Sequence, residues 1–303
     1  MMYPEIPYPG LSWPITQHSG VLSNEVLDGL LNAGLLCNGS RPDVSTINGY
    51  LIEHDILTAN YRADSNQADA WRDYQQILSE FGFIYSTRVS REIKLTPIAM
   101  AYLNGRLAYR DVITLQIMRY QYPNGHKSQL SPSLIESYGT EFNFQSYTEM
   151  QDANNILIRP AVVVWKVLFG LWQKNEQAIL SLDEMQTYVA RCTQHSDTTL
   201  CVEAIIESRQ GSSLVTPLQR ARRNMADWMK ILNQTPLFTL SYDGTSLSLS
   251  GFSIRNYKLI LDICNQMSDP TSFWYYHEEN FKEDWFDFYG SFDTVTDWVI
   301  KAV

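Results

Sequence analysis

A Glu-x-Lys triplet is the first feature of the sequence that could do chemistry. Glu92 and Lys94 lie on a predicted strand, and this pair is the short end of a motif with which metal-dependent nucleases cleave phosphodiesters. The full motif also needs an upstream metal-binding aspartate on a neighbouring strand. The nearest candidate, Asp73, falls on a predicted helix. Because the triplet is common by chance, a nuclease is the least favoured function.

Two further groups have residue types that bind metals. Cys192, His195 and Cys201 are close in sequence, but a zinc site needs four ligands in close pairs and the second pair is missing. The histidine and acidic residues at 277–287 are more typical of a solvated or partner-facing helix. The sequence therefore predicts no catalytic residue, no metal and no cofactor, and it favours a protein that is not an enzyme.

The distribution of charge points to a different function. The chain has 303 residues and a net charge of −10, which by itself argues against binding to nucleic acid. The charge is segregated, however. Residues 1–85 carry a net −7 and residues 277–303 a net −5, whereas residues 86–130 carry +5 and residues 209–230 carry +4. Two basic zones are therefore expected on an otherwise acidic surface.

The side chains in these zones are of the types that contact DNA. Lysine and arginine bind phosphates, and arginine and glutamine also read guanine and adenine edges with paired hydrogen bonds. An ordinary solvated polar side chain is the alternative for each residue. The second zone favours a contact, because an exposed helix face of one charge sign is unusual. The candidate DNA-binding residues are Arg72, Gln75, Gln76, Arg88, Arg91, Lys94, Arg106, Arg110, Arg119, Lys127, Arg220, Arg222, Arg223 and Lys230.

The first basic zone lies on a series of predicted short elements. Ser23 is a candidate N-cap, apolar residues recur at helical spacing, and Gly82 and Pro97 mark a helix end and a helix start. The resulting order of helix, loop, helix, hairpin and helix is that of a winged-helix module. The elements are helix Asn24–Leu36, a loop over 38–49, helix Gln67–Phe81, strands Phe83–Thr87 and Glu92–Thr96, and a helix from Pro97.

The second half of the chain repeats this scheme. Ser181 and Glu184 form a capping box, and Asp243–Gly244 is a strong hairpin signal. The predicted elements are helices Ala161–Lys174, Leu200–Ser208, Pro217–Asn233 and Ile254–Met267, with strands Leu237–Tyr242 and Thr245–Ser250. We predict a mainly α protein with small β-hairpins (α+β). Its parts would be an N-terminal winged-helix module (1–119), a connector (120–155), a second module (156–267) and a C-terminal segment (268–303).

The C-terminal segment is rich in aromatic and acidic residues. We expect it to pack on the body of the protein or on a partner, with Trp274, Tyr275, Trp285 and Phe286 as the partner-binding candidates. No signal peptide is apparent, and no apolar run is long enough to span a bilayer. The four cysteines lack a CxxC spacing, which favours reduced thiols in a cytoplasmic protein.

Several segments together resemble a known family. They are WRDYQQILSEFGFI at 71–84, IKLT at 93–96, TLQIMRYQYPNGHK at 114–127, IRP at 158–160, LSLDEMQTYV at 180–189 and RNMADWMKILNQTPLF at 223–238. This succession resembles the DNA-recognition region of type IIS restriction endonucleases of the Alw-like group and related bacterial defence proteins. In that family a metal-dependent nuclease domain follows the winged-helix region. Here the sequence ends soon after the second predicted module, so we expect from the resemblance that the protein recognises DNA without cleaving it.

Three hypotheses follow. The leading one is a non-enzymatic subunit that binds double-stranded DNA in a restriction or anti-phage system, together with a separate nuclease, helicase or SMC-like ATPase. The second is an accessory subunit that binds a protein partner of an SMC-type ATPase complex, which the acidic, aromatic C-terminus favours. The third is a metal-dependent nuclease that uses Glu92 and Lys94.

Overall fold

The structure is a computed structural model of the chain. It describes residues 13–16, 19–57, 67–126, 130, 135–136, 143–212, 215–218 and 221–292, and at residues 19, 67–70 and 72 it describes the backbone alone. The described part is mainly helical, with one three-stranded antiparallel sheet. The predicted α+β class is confirmed at this level.

Helices α1 to α6 build the first half. Helix α1 (Asn24–Leu36) has the predicted bounds and buries Leu27, Leu30 and Leu31. The loop predicted over 38–49 is wrong in its second half, where helix α2 (Val44–Glu53) forms. The Asp43 carboxylate caps this helix, which buries Ile47 and Leu51. The others are α3 (Gln67–Glu80), α4 (Thr87–Ser90), α5 (Pro97–Leu103) and α6 (Tyr109–Arg119).

The first predicted hairpin is reduced to a short antiparallel pairing. The backbone N–H of Tyr85 donates to the Lys94 carbonyl over 2.9 Å, and the N–H of Thr96 donates to the Phe83 carbonyl over 3.0 Å. Helix α4 forms the connection in place of a simple turn. Arg91 then reverses the chain with a left-handed φ of 59°.

The second half contains the sheet. Strand β1 (Ile179–Ser181) and strand β2 (Phe238–Leu240) pair on either side of β3 (Ser246–Leu249), so Leu247 lies opposite both Leu180 and Leu240. The β2–β3 hairpin is confirmed, and β1 is an addition to it. The helices of this half are α7 (Tyr147–Ala153), α8 (Pro160–Gln173), α9 (Leu182–Thr187), α10 (Asp197–Arg209), α11 (Ala221–Leu232), α12 (Gly251–Arg255) and α13 (Tyr257–Met267).

Two helix bounds differ from the predictions. The helix expected from Pro217 begins at Ala221, and Pro217 itself has no regular secondary structure. The helix expected over Ile254–Met267 is divided at Asn256, whose ψ of 22° separates α12 from α13.

One hydrophobic core contains residues from both halves, with Trp228 near its centre. The Trp228 ring lies 5.1 Å from the ring of Tyr120, 6.5 Å from that of Tyr122 and 6.4 Å from that of Trp13. Tyr120 and Tyr122 are fully buried, although they belong to the predicted connector. The start of the predicted connector therefore belongs to the hydrophobic core. The predicted domain boundaries stay a prediction.

Two buried arginines fasten the C-terminal segment to this core. Arg119 donates to the carbonyls of Phe288 and Ser291, at the end of α14 (Phe281–Tyr289). Arg159 donates to the carbonyls of Met267 and Ser272. Burial lowers the pKa of Arg119 to about 10, and that of Arg159 to about 9. Carbonyl oxygens thus take the place of acidic partners for both guanidinium groups.

Candidate nucleic-acid interface

Helix α11 presents an exposed cationic face. At about 100° per residue, positions 222, 223 and 230 fall within an arc of about 100°. Arg222, Arg223 and Lys230 are all exposed there, with the small Ala226 between them. The opposite side of the helix is buried in the core through Trp228 and its neighbours. The helix therefore holds three long cationic side chains on a rigid support. Arg220 lies outside the described residues.

Arg222 is held by two side chains of α9. Its Nη1 donates to the Asp183 carboxylate over 2.5 Å and to Oε1 of Gln186 over 3.3 Å. The ion pair stays in solvent, since the side chains of Arg222 and Asp183 are 56% and 77% exposed. Sequence reasoning missed both α9 residues. The available signal was an acidic residue in the first turn of α9 that the Ser181–Glu184 capping box does not use.

Arg209, also in the second basic zone, has a structural role. It forms an ion pair of 2.7 Å with Glu184 and donates to the carbonyls of Gln177 and Ile179. These bonds tie α10 to the strand β1 and to the start of α9. Among the described residues, the second basic zone therefore consists of one structural arginine, Arg209, and the three cations of the α11 face.

The first basic zone is less uniform than the sequence suggests. Arg88 and Arg91 are exposed around α4, and the exposed Lys94 places its Nζ 3.9 Å from the centre of the Tyr85 ring. On α3, Gln75 and Gln76 are half-buried, and Gln75 accepts a 3.5 Å hydrogen bond from Thr87. The side chain of Arg72 and all of Lys127 lie outside the described residues.

The three arginines that follow α5 differ in their surroundings. Arg106 and Arg110 are exposed but lie over the rings of Phe292 and Phe252, at 4.5 and 5.5 Å from the ring centres. Arg119 is only 3% exposed. The prediction that Arg119 lies on a basic surface is wrong, because its guanidinium is committed to backbone carbonyls inside the fold.

The predicted partner-binding aromatics are also mostly internal. Trp285 and Phe286 are fully buried and Trp274 is 6% exposed, so these three are corrected to core residues. Trp285 stacks on Tyr289 at 4.7 Å and meets Trp274 edge-on at 5.5 Å. Tyr275 is half exposed and remains accessible. The described part of the segment, residues 268–292, packs on the body of the protein through the apolar face of α14.

The metal-binding groups considered from the sequence do not assemble. In the part of the chain that the structure describes, no three histidine, cysteine or acidic side chains are placed to hold a metal ion. Nε2 of His195 accepts a hydrogen bond from the backbone N–H of Arg159 over 3.2 Å. His277 pairs with Asp284 over 2.9 Å, and Glu92 is exposed.

His195 should make stability depend on pH. Burial, with the charges of Lys166 and Arg159, lowers the pKa of His195 to about 3 from an ordinary 6.5. Below pH 6.5 the unfolded chain binds a proton at His195, whereas the His195 of the folded chain stays neutral down to about pH 3. The free energy of unfolding should therefore fall by up to ~1.4 kcal/mol per pH unit between pH 6 and pH 4.

Urea denaturation at several pH values measures this effect against a His195→Gln variant, which keeps a hydrogen-bond acceptor. The unfolding free energy of the wild type minus that of the variant should fall as the pH falls. A difference that stays constant from pH 8 to pH 4 contradicts the assignment.

The family of the chain follows from a comparison with known proteins. The sequence model of the AlwI restriction endonuclease family matches residues 79–245, which are more than half of the chain. The chain belongs to this family. The resemblance inferred from the sequence is thereby confirmed, and the matched range includes the whole of α11 and the pairing at Phe83–Thr96.

A solved structure shares the fold of this AlwI-family chain. Its title is "Crystal structure of pyrene- and phenanthrene-modified DNA in complex with the BpuJ1 endonuclease binding domain". The two chains are 17% identical with a TM-score of 0.59, over 88% of this chain and 92% of the other. No curated protein matches the sequence. No helix in the described part of the AlwI-family chain has the length and apolar character needed to cross a membrane.

Proposed function

We propose that this AlwI-family chain binds double-stranded DNA in a restriction system, and that the cationic face of α11 is its main contact. The observation that carries the proposal is the exposure of Arg222, Arg223 and Lys230 on one face of a helix that is otherwise buried. Long cationic side chains on a rigid element suit phosphate and base contacts. The BpuJ1 binding domain, similar in fold, is by its title complexed with DNA.

We also propose that both halves are winged-helix modules. In each half a helix with polar side chains precedes an antiparallel pairing, as the helix presented to DNA precedes a wing. The polar side chains are half-buried on α3 and exposed on α11. Arg88, Arg91 and Lys94 would then lie on the first wing, and Gln75, Gln76 and Arg72 on its helix. These residues of the first half would add DNA contacts to those of the α11 face and so lengthen the DNA site.

We further propose that the chain recognises DNA without cleaving it, and that a separate nuclease, helicase or ATPase of the same defence system acts on the bound DNA. The position of Asp73 supports this, because the aspartate nearest upstream of Glu92 and Lys94 lies on helix α3 and not on a neighbouring strand. The accessory-subunit alternative has lost its main support, since three of the four aromatics assigned to a partner are buried. Four buried free cysteines are compatible with the proposed reducing cytoplasm.

A titration of a labelled mixed-sequence duplex tests the proposal by fluorescence anisotropy. We expect binding at low salt that weakens linearly in a plot of log K against log salt, with a slope of about −0.9 for each phosphate contacted. Single-stranded DNA of the same sequence is the control. Failure to bind any duplex, including pools of random sequence, contradicts the proposal. Mg²⁺-dependent cleavage that Glu92→Ala abolishes would instead support the nuclease.

A further inference from the structure

The ion pair between Asp183 and Arg222 is unexpected on a surface that we propose to meet DNA. A carboxylate there repels phosphates and offsets one of the cations of α11. The pair is exposed, and exposed ion pairs contribute little to the stability of a fold. A negative charge in the first turn of α9 favours that helix, but it does not require a pair with Arg222. General attraction to DNA does not account for the carboxylate either.

A neighbouring ion pair shows what a structural arginine looks like in this fold. Arg209 uses three of its nitrogens, on Glu184 and on two backbone carbonyls, and so joins separate segments. Arg222 differs from it. Within the described residues, Nη1 alone of Arg222 has acceptors, and both acceptors belong to the adjacent helix α9. This leaves Nε and Nη2 of Arg222 available to a ligand.

These two nitrogens form one edge of a planar guanidinium, with parallel N–H donors. That edge matches O6 and N7 of guanine in the major groove, which accept two parallel hydrogen bonds. A contact to phosphate needs charge more than orientation. A contact to a base edge needs the plane of the guanidinium fixed, and fixing it before binding removes part of the cost in side-chain entropy.

We propose that Asp183 and Gln186 are positioning residues that orient Arg222 to read a guanine, whereas Arg223 and Lys230 contact phosphates. The inference deepens the proposed function and rests on it. Arg223 and Lys230 have no ion-pair partner within the described residues, in keeping with contacts that depend on charge alone. Asp183 would therefore lower general affinity for DNA and raise selectivity for one base pair.

Selection of duplexes from a random pool tests the assignment, followed by affinity measurements on the selected site and on each single-base change. In Asp183→Ala, discrimination at one G·C pair should fall about tenfold or more, while affinity for unselected DNA stays equal or rises. Arg222→Ala should lose the preference at the same position. Combining the two changes should cost no more selectivity than Arg222→Ala alone.

Two controls separate orientation from charge. Glu203→Gln removes an exposed negative charge from α10, and it should leave every base preference unchanged. Arg223→Ala should weaken binding to all sequences alike and make the salt slope shallower by about one. The inference is overturned if Asp183→Ala keeps the wild-type preference at every position, or if the wild type binds duplexes without preference. A wild type that binds no duplex at all rejects the proposed function itself, and the inference with it.

Discussion

Replacing Arg222, Arg223 and Lys230 together by alanine should lower the affinity for duplex DNA by on the order of a hundredfold or more at moderate salt. The three side chains share one exposed face, and the change removes the cationic contacts that the proposed function assigns to α11. Because the buried face of α11 is untouched, the variant should fold as the wild type does. Anisotropy titrations over a range of salt concentrations measure both the affinity and its slope.

A charge-matched variant shows whether position or net charge is responsible. Lys174, Arg255 and Lys258 are also exposed, and their replacement by alanine removes three positive charges at positions outside α11. We expect this control to lose no more than a few-fold in affinity. Equal losses in the two triple variants would mean that α11 is not the contact surface and that only the overall charge matters.

Trp228→Ala should lower the free energy of unfolding by ~3–5 kcal/mol, the usual cost of removing a large buried aromatic side chain. The ring of Trp228 lies within 6.5 Å of the rings of Trp13, Phe81, Tyr120 and Tyr122, so its loss leaves a cavity between segments that are distant in sequence. Denaturation in urea, followed by circular dichroism, measures the change.

Trp172→Ala is the matched control, because the Trp172 side chain is 38% exposed at the end of α8. It should cost much less than Trp228→Ala. A similar loss in both variants would contradict the central place assigned to Trp228. The prediction matters for function as well, since Trp228 lies on the buried side of the helix whose exposed side carries the cations.

Local sequence signals predicted the regular elements where an apolar stripe or a strong cap was present. Helix α1 has its predicted bounds, both bonds of the capping box at Ser181 and Glu184 are formed, and the hairpin turns at Asp243–Gly244. Helix α2 escaped prediction because Ser45, Thr46, Asn48 and Gly49, in the first six residues of its sequence VSTINGYLIE, are typical of loops. It is stabilised by the Asp43 cap and by burial, and burial depends on segments far along the chain.

The candidate site could be predicted only as far as helical spacing reveals an exposed face. That spacing correctly put Arg222, Arg223 and Lys230 on one exposed side of α11. It could not show that Arg119 is buried, because Thr114, Gln116 and Arg119 make α6 look half solvated. In the structure, Gln116 donates to the Phe81 and Tyr289 carbonyls, so polar residues of α6 form hydrogen bonds inside the fold. Such tertiary partners have no local signal.

The carbonyl contacts of Arg119 and Arg159 bear on how recognition regions can be exchanged between enzymes. The last residue of the second predicted module is Met267, and the order of elements alone would place a transplant cut there. Such a cut removes the carbonyls of Phe288 and Ser291, which leaves the buried Arg119 guanidinium without its carbonyl acceptors. It also removes the Ser272 carbonyl, so that Arg159 keeps only that of Met267. The transferable unit for engineering chimeric specificities therefore extends at least to Ser291.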